Sequence, residues 1–466
     1  MKKIFSLFIV TIFCFLPFTA CSNNKTAEIY NKYIDEEVGS SDTVSESTQP
    51  ETKTLSGELR ISTYFPDETF TEMKRAFNKK YPNVKITIDY ALPTFDSVNP
   101  TVTEYTQKTA VELMSGGGAD IININMMSCQ RYGKSGLLTD FNELMNNDPD
   151  FNRDDYYTNI FDAITTEDGK MYAFVPSFTY NFFYFNKFIT DKLGIDMLEY
   201  DSINYIQMAE IYNEALAQGY ITKDCLFSET QNKTMFESLE FSEFYNEQDG
   251  IADFNAPKFI DYLNVTNNLN FDRTIGSGMS YDASIPRFSS NNFFCRMTLF
   301  SLDLVARTFE KGDPNHPFAS NAVFYETQSG QRNFLPASLL AIPENSKNKE
   351  LAWEFIKFQI EEEEFDEEAL RSNDPNVYVP IYMPYSFYVP INKNNFHKLA
   401  TARLYEEKYA IYFDEINHSL NGMKTTDGEL IHAIAEIQKS FYDYGLITAE
   451  DCARQIQERA EIFLNE

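Results

Sequence analysis

Strand-like and helix-like periodicities alternate from residue 57 to residue 125, and this alternation limits the fold more than any other feature of the 466-residue chain. Leu59-Arg60-Ile61-Ser62-Thr63-Tyr64 reads as a strand. Phe70, Met73, Phe77 and Tyr81 follow at spacings of 3, 4 and 4, which is a helical stripe. Pro82-Asn83 breaks that helix, and residues 84–90 alternate with period two as a second strand. Val102, Tyr105, Thr109 and Leu113 form the next helical face, Ser115-Gly116-Gly117-Gly118 ends it, and residues 120–125 make a short apolar strand. Strands separated by helices pair in parallel through crossovers, so this stretch predicts a doubly wound α/β sheet.

Farther on, residues 170–176 read as a fourth strand, and the composition then changes. From Tyr180 to about Asn321 the chain is rich in helical stripes and aromatics, such as Tyr205, Ala209, Tyr212 and Leu216 closed by Gly219. Strand character returns at 322–325 and 338–342. Helices then dominate: Leu351, Ala352, Phe355 and Ile356; Leu430, Ile434, Ile437 and Phe441; and a last helix entered at Thr448 with Asp451 three residues on. A single core stops growing beyond about 250–300 residues, so the part that folds divides into two or more domains.

The N-terminus carries an address. Lys2 and Lys3 precede an apolar run from Ile4 to Ala20, too short for the roughly 20 residues that span a bilayer. Phe18-Thr19-Ala20-Cys21 resembles the bacterial lipobox, in which the cysteine is acylated and the chain cut before it. The resemblance implies a leader over 1–20, lipidation of Cys21 and a place on the extracellular face of the cell membrane. Residues 21–55, rich in Ser, Thr and Glu, read as a disordered tether. The formal net charge of −31 becomes two units more negative once Lys2 and Lys3 are lost. Such a surface repels nucleic acid and argues against it as a partner. Neither Cys129, Cys225, Cys295, Cys452 nor the four histidines show metal-ligand spacing, so no metal and no cofactor are expected, and any disulfide pairing stays open.

Several segments, taken in order, resemble the family 1 extracellular solute-binding proteins of ABC importers, the maltose-binding-protein group. They are residues 57–61, the run Ala76-Phe77-Asn78-Lys79-Lys80-Tyr81-Pro82-Asn83-Val84, the turn and strand at 115–122, and Ser135-Gly136-Leu137-Leu138-Thr139-Asp140-Phe141. Residues 168–176 with Tyr184-Phe185-Asn186-Lys187, and Asn345 to Ile356, complete the series. The resemblance implies a two-lobe, periplasmic-binding-protein-like (type II) α/β fold whose discontinuous lobes are joined by a hinge. The lobes expected are 56–177 plus 323–345 and 178–322 plus 346–466. It also implies a monomeric receptor that closes on a small solute, a sugar or oligosaccharide, and docks on ABC permease subunits.

In open α/β sheets ligands sit beyond the carboxyl ends of strands. Candidate contacts are therefore Ser62, Thr63, Tyr64 and Phe65 after the first strand, and Asn125 and Met126 after the third. Tyr180 and Asn181 at the crossover join them, with Phe178 assigned to hinge packing. Ser301 and Asp303 are the candidates in the second lobe, from a run that resembles the family's ligand wall. Hydroxyls and rings suit a polyhydroxylated ligand, although methionines at 126 and 127 do not read hydroxyls. Trp353 is the one tryptophan, so any stacking platform is Tyr or Phe.

The rival readings are a surface lipoprotein glycoside hydrolase and a ligand sensor for a receptor kinase with the same fold. No nucleophile elbow, triad pattern, phosphate-loop or dinucleotide fingerprint singles out an active site. A binder and not an enzyme is expected.

Overall fold

The computed structural model describes residues 54–65, 68–92, 94, 100–228, 239–246, 250–270, 292–298, 322–361, 388–403, 407–424 and 428–465. From Leu55 onward these lie in one compact unit. Cys21, the leader and tether through residue 53, Ser301 and Asp303 lie outside the described residues.

Along the chain the strands are β1 (Gly57–Thr63), β2 (Val84–Tyr90), β3 (Ile121–Asn123), β4 (Ser177–Thr179), β5 (Asn181–Phe185), β6 (Ser202–Ile203) and β7 (Leu226–Ser228). A small hairpin follows from β8 (Tyr245–Asn246) and β9 (Ile251–Ala252), then β10 (Asn292–Thr298), β11 (Ala322–Tyr325), β12 (Asn333–Pro336), β13 (Leu340–Ala341), β14 (Val389–Pro390) and β15 (Gly422–Met423).

The first sheet has the order β13-β3-β1-β2. Its β1, β2 and β3 are parallel, as the alternation predicts, with Ile61 opposite Ile88 and Ile121, and β13 runs antiparallel to β3. The helix Val102–Ser115 is defined at both ends by local chemistry. Thr101 and Glu104 form a capping box, and Gly116 takes the left-handed conformation at the C-cap. The fourth strand expected over 170–176 is not a strand. Only a bridge forms there, between Phe174 and Leu340, because the strand it meets, β13, is two residues long.

The second sheet has the order β6-β11-β5-β10-β7, with β5 antiparallel to both neighbours while β6 and β7 run parallel to β11 and β10. The carboxyl ends of four strands therefore lie on the side where β5 begins at Asn181. A third sheet, β14-β4-β12-β15, joins the other two, pairing Leu335 with Thr179 and Val389 with Phe178.

Two large apolar clusters pack around these sheets. The first holds Leu59, Ile61, Phe77, Ile121, Phe174 and Trp353, and the second holds Tyr205, Tyr212, Phe227, Tyr262, Phe294 and Ile456. The Asn-Phe-Phe-Tyr-Phe run of β5 separates them. Phe182 and Tyr184 face the first cluster and Phe183 and Phe185 the second, as a period-two strand buried on both faces requires.

The helix Lys349–Ile360 departs from the sequence expectation. The expected lobe boundaries group it with the second lobe, yet it packs on the first sheet's helix Glu68–Lys80 through Phe77 and Phe355, whose ring centroids are 5.2 Å apart. Trp353 donates to Asp148 at 2.7 Å, and Lys357 reaches the same oxygen at 2.7 Å. Burial pushes the Asp148 carboxyl up, but the bonds from Lys357 and Trp353 outweigh it and hold it below the usual carboxylate range. Strand order alone cannot say which face such a helix covers. Helix Gly428–Tyr442 and helix Ala449–Asn465 do pack with the second cluster. The final helix begins as expected, with the Asp451 amide donating to Thr448 Oγ1 at 3.2 Å.

Candidate functional site

Segments crossing between the sheets reach the first one at the carboxyl end of β3. The Ile124 amide donates to Leu339 O at 2.7 Å, and the Asn125 side chain completes the junction. Its Nδ2 donates to Ala337 O at 3.4 Å and its Oδ1 accepts from the Leu339 amide at 2.5 Å. Both ends of the Asn125 amide therefore hold the crossing chain to the sheet. Met126 beside it is half-buried.

Of the four candidates at this edge, Ser62 and Thr63 are the last residues of β1, and Tyr64 and Phe65 follow it. Tyr64 and Tyr105, with ring centroids 5.3 Å apart, form with Leu92 a small aromatic cluster separate from the two cores, and Phe65, Ala91 and Val102 pack against it. Phe65 meets Tyr64 edge-on at 4.7 Å and stays half-buried. The Tyr64 hydroxyl donates to Pro100 O at 3.0 Å. Burial, with the nearby Glu104 carboxylate, raises its pKa. Ser62 Oγ stands 3.5 Å from the Tyr105 hydroxyl, and the buried Thr63 donates to Phe65 O at 3.3 Å. Rings with hydroxyls beside them at a strand-end edge can cover an apolar ligand face and orient polar groups.

Tyr180 occupies a different environment from the one its position suggested. It has no exposed surface, its ring lies 5.5 Å from Phe182 and 5.6 Å from Phe324, and its hydroxyl has no hydrogen-bond partner among the described residues. Burial holds its proton firmly. The ring fills the wall behind the junction, because side chains alternate along the crossover and the aromatic ones turn inward. Phe178 packs there too, against Tyr157 and Phe334. Asn181, 5% exposed, opens β5 opposite Thr298.

An open groove of about 510 Å³ runs beside this edge, between the first sheet and the helix Val102–Ser115, lined by Arg60, Ser62, Ile88, Asp89, Tyr90, Lys108 and Glu112 among others. Arg60 pairs with Asp89 at 2.5 Å, and Lys108 with Glu112 at 3.7 Å. Only Ser62 of the residues chosen from sequence lines it. Period-two alternation puts Arg60 and Ser62 on one strand face, a signal that reading strand ends alone passed over. Among the described residues no group of three or more His, Cys, Asp and Glu side chains is placed to hold a metal ion, and no helix is long and apolar enough to cross a membrane.

Residues 65–211 match the bacterial extracellular solute-binding protein family. The fold is the two-lobe, periplasmic-binding-protein-like α/β fold of that group. It is shared with the sugar-binding protein MalE of Xanthomonas citri, at 12% identity and a TM-score of 0.60, covering 88% of this chain and 98% of that one. An ABC substrate-binding protein from Listeria monocytogenes, solved with cycloalternan, is 18% identical with a TM-score of 0.55, over 88% of this chain and all of the other. The cyclic alpha-maltosyl-1,6-maltose binding protein of Arthrobacter globiformis is 14% identical with a TM-score of 0.54, covering 88% and 99%. No curated relative matches the sequence. The matched family is one of binding proteins and not of enzymes.

Proposed function

We propose that this protein is the solute receptor of an ABC importer, captures a sugar or oligosaccharide between its lobes and delivers it unchanged to membrane permease subunits. The observation that carries the reading is the family match over residues 65–211 within a fold shared across 88% of the chain. The half-buried Ser62 and Phe65, backed by the buried rings of Tyr64 and Tyr105, support a carbohydrate, and so do the sugars named for the structural relatives. Lipidation at Cys21 and a tether through residue 55 would hold a monomer at the extracellular face of the membrane. The lobes meet along β4, β12 and the start of β5. Asn181 and, in the second lobe, Ser301 and Asp303 complete the proposed set of contacts.

A thermal-shift screen of sugars, polyols and peptides on residues 56–466 tests this. A solute that binds only the folded chain at a hundredfold its dissociation constant adds about 2.7 kcal/mol of stability. An oligosaccharide is expected to raise the melting temperature and to be recovered intact. Cleavage of the glycan, or no shift with any solute class, would overturn the reading.

A further inference from the structure

The groove of about 510 Å³ lies between a sheet wall and a helix wall, and each wall carries one charge of each sign. On the sheet, Arg60 of β1 donates through Nε to Asp89 of β2 at 2.5 Å. On the helix Val102–Ser115, Lys108 Nζ and Glu112 Oε1 are 3.7 Å apart, longer than a hydrogen bond. Two periods produce this pattern. Alternation turns Arg60 and Ser62 away from Leu59 and Ile61, which belong to the first core, and a spacing of four puts Lys108 and Glu112 on one side of the helix.

Most of the hydrogen-bonding capacity of the groove is unspent. A guanidinium carries five N–H donors, and Asp89 engages only the Nε edge of Arg60. The terminal nitrogens of Arg60, the Lys108 ammonium and the Glu112 carboxylate have no hydrogen-bond partner among the described residues. Between 33% and 71% of each of these four side chains is exposed. Ion pairs that exposed contribute little to folding, so they can be exchanged for a ligand. The volume suits a small molecule. The four charges sum to zero, so a ligand with a net charge leaves one of them uncompensated, and a ligand bearing both signs satisfies them all. A stacked sugar finds no platform here: Tyr90 supplies the ring among the lining residues, and its hydroxyl, 2.9 Å from Thr71 Oγ1, is tied to the helix Glu68–Lys80.

We propose that this groove is a second small-molecule site, separate from the proposed interlobe cleft, and that it takes a free α-amino acid. Arg60 holds the carboxylate through its two open terminal nitrogens, and Glu112 on the facing wall accepts from the ammonium. Asp89 fixes the guanidinium, and Lys108 keeps the groove neutral. The site goes beyond the receptor reading. It is built from the first sheet and one helix, so binding there needs no lobe closure.

The test is isothermal titration calorimetry of the full chain with each of the common L-amino acids. Any that binds is compared with its amide, which lacks the carboxylate, and its N-acetyl form, which lacks the ammonium. At least one amino acid is expected to bind, and each blocked form to bind roughly tenfold more weakly or worse, the loss of a charge-assisted bond. Arg60→Gln and Glu112→Gln should each weaken the amino acid by a similar factor. Both change exposed side chains and should leave the melting temperature of the unliganded chain nearly unchanged. No binding by any amino acid at millimolar concentration, equal binding of either blocked form, or affinity retained in Arg60→Gln or Glu112→Gln would overturn the proposal. A sugar screen without a hit overturns the receptor reading and leaves this site standing.

Discussion

At Glu240, burial and hydrogen bonding act in opposite directions, and burial wins. The carboxyl moves from 4.5 to about 7. Between those two pH values the folded chain holds a proton that the unfolded chain has released. The favourable contribution is therefore complete below about pH 4.5 and is lost as pH rises through 7. The shift corresponds to roughly 3 kcal/mol. Urea midpoints at pH 5 and pH 8 should show the parent chain losing up to about 3 kcal/mol relative to Glu240→Gln over that interval. Asn125 teaches a different lesson at the same scale. Asparagine after a strand reads as a ligand contact, but here the nearby crossing chain offers an amide and a carbonyl at the right spacing, and the side chain takes both. Nothing in residues 120–128 reveals that Ala337 and Leu339 will arrive beside them.

At the scale of elements, the helices and parallel strands between 57 and 125 were legible because each is fixed by local pattern. The stripe over 70–81, the Thr101 capping box and the Gly116 cap are all written within a few residues. The short helix Cys129–Lys134 has a local cap, the Ser128 hydroxyl accepting from the Arg131 amide, but what it packs against was not legible. A Cβ at Gly133 would come within 2.1 Å of the Tyr172 ring, so the glycine allows the close approach of two segments. Gly133→Ala should cost about 1–3 kcal/mol through overpacking, read as a lower denaturant midpoint with an unchanged slope. The run over 170–176 failed as a strand for a related reason. Its apolar run is buried throughout, but the edge it could pair with offers only Leu340, and a lone bridge is all that forms.

At the scale of the whole molecule, two cores lie on either side of β5, and the proposed receptor role predicts that one rotates about the linking sheet when a solute binds. Small-angle scattering of residues 56–466 is expected to give a smaller radius of gyration with a bound solute than without it. The sequence by itself determined the parallel α/β start and the resemblance to solute-binding proteins, since periodicity, caps and short motifs are local. Only the tertiary structure decided that helix Lys349–Ile360 belongs to the first core, that Tyr180 is fully buried, and that two glutamates 80 or more residues upstream hold the turn between β11 and β12. Those outcomes depend on which surfaces meet after folding, and burial and hydrogen-bond partners exist only once distant segments are brought together.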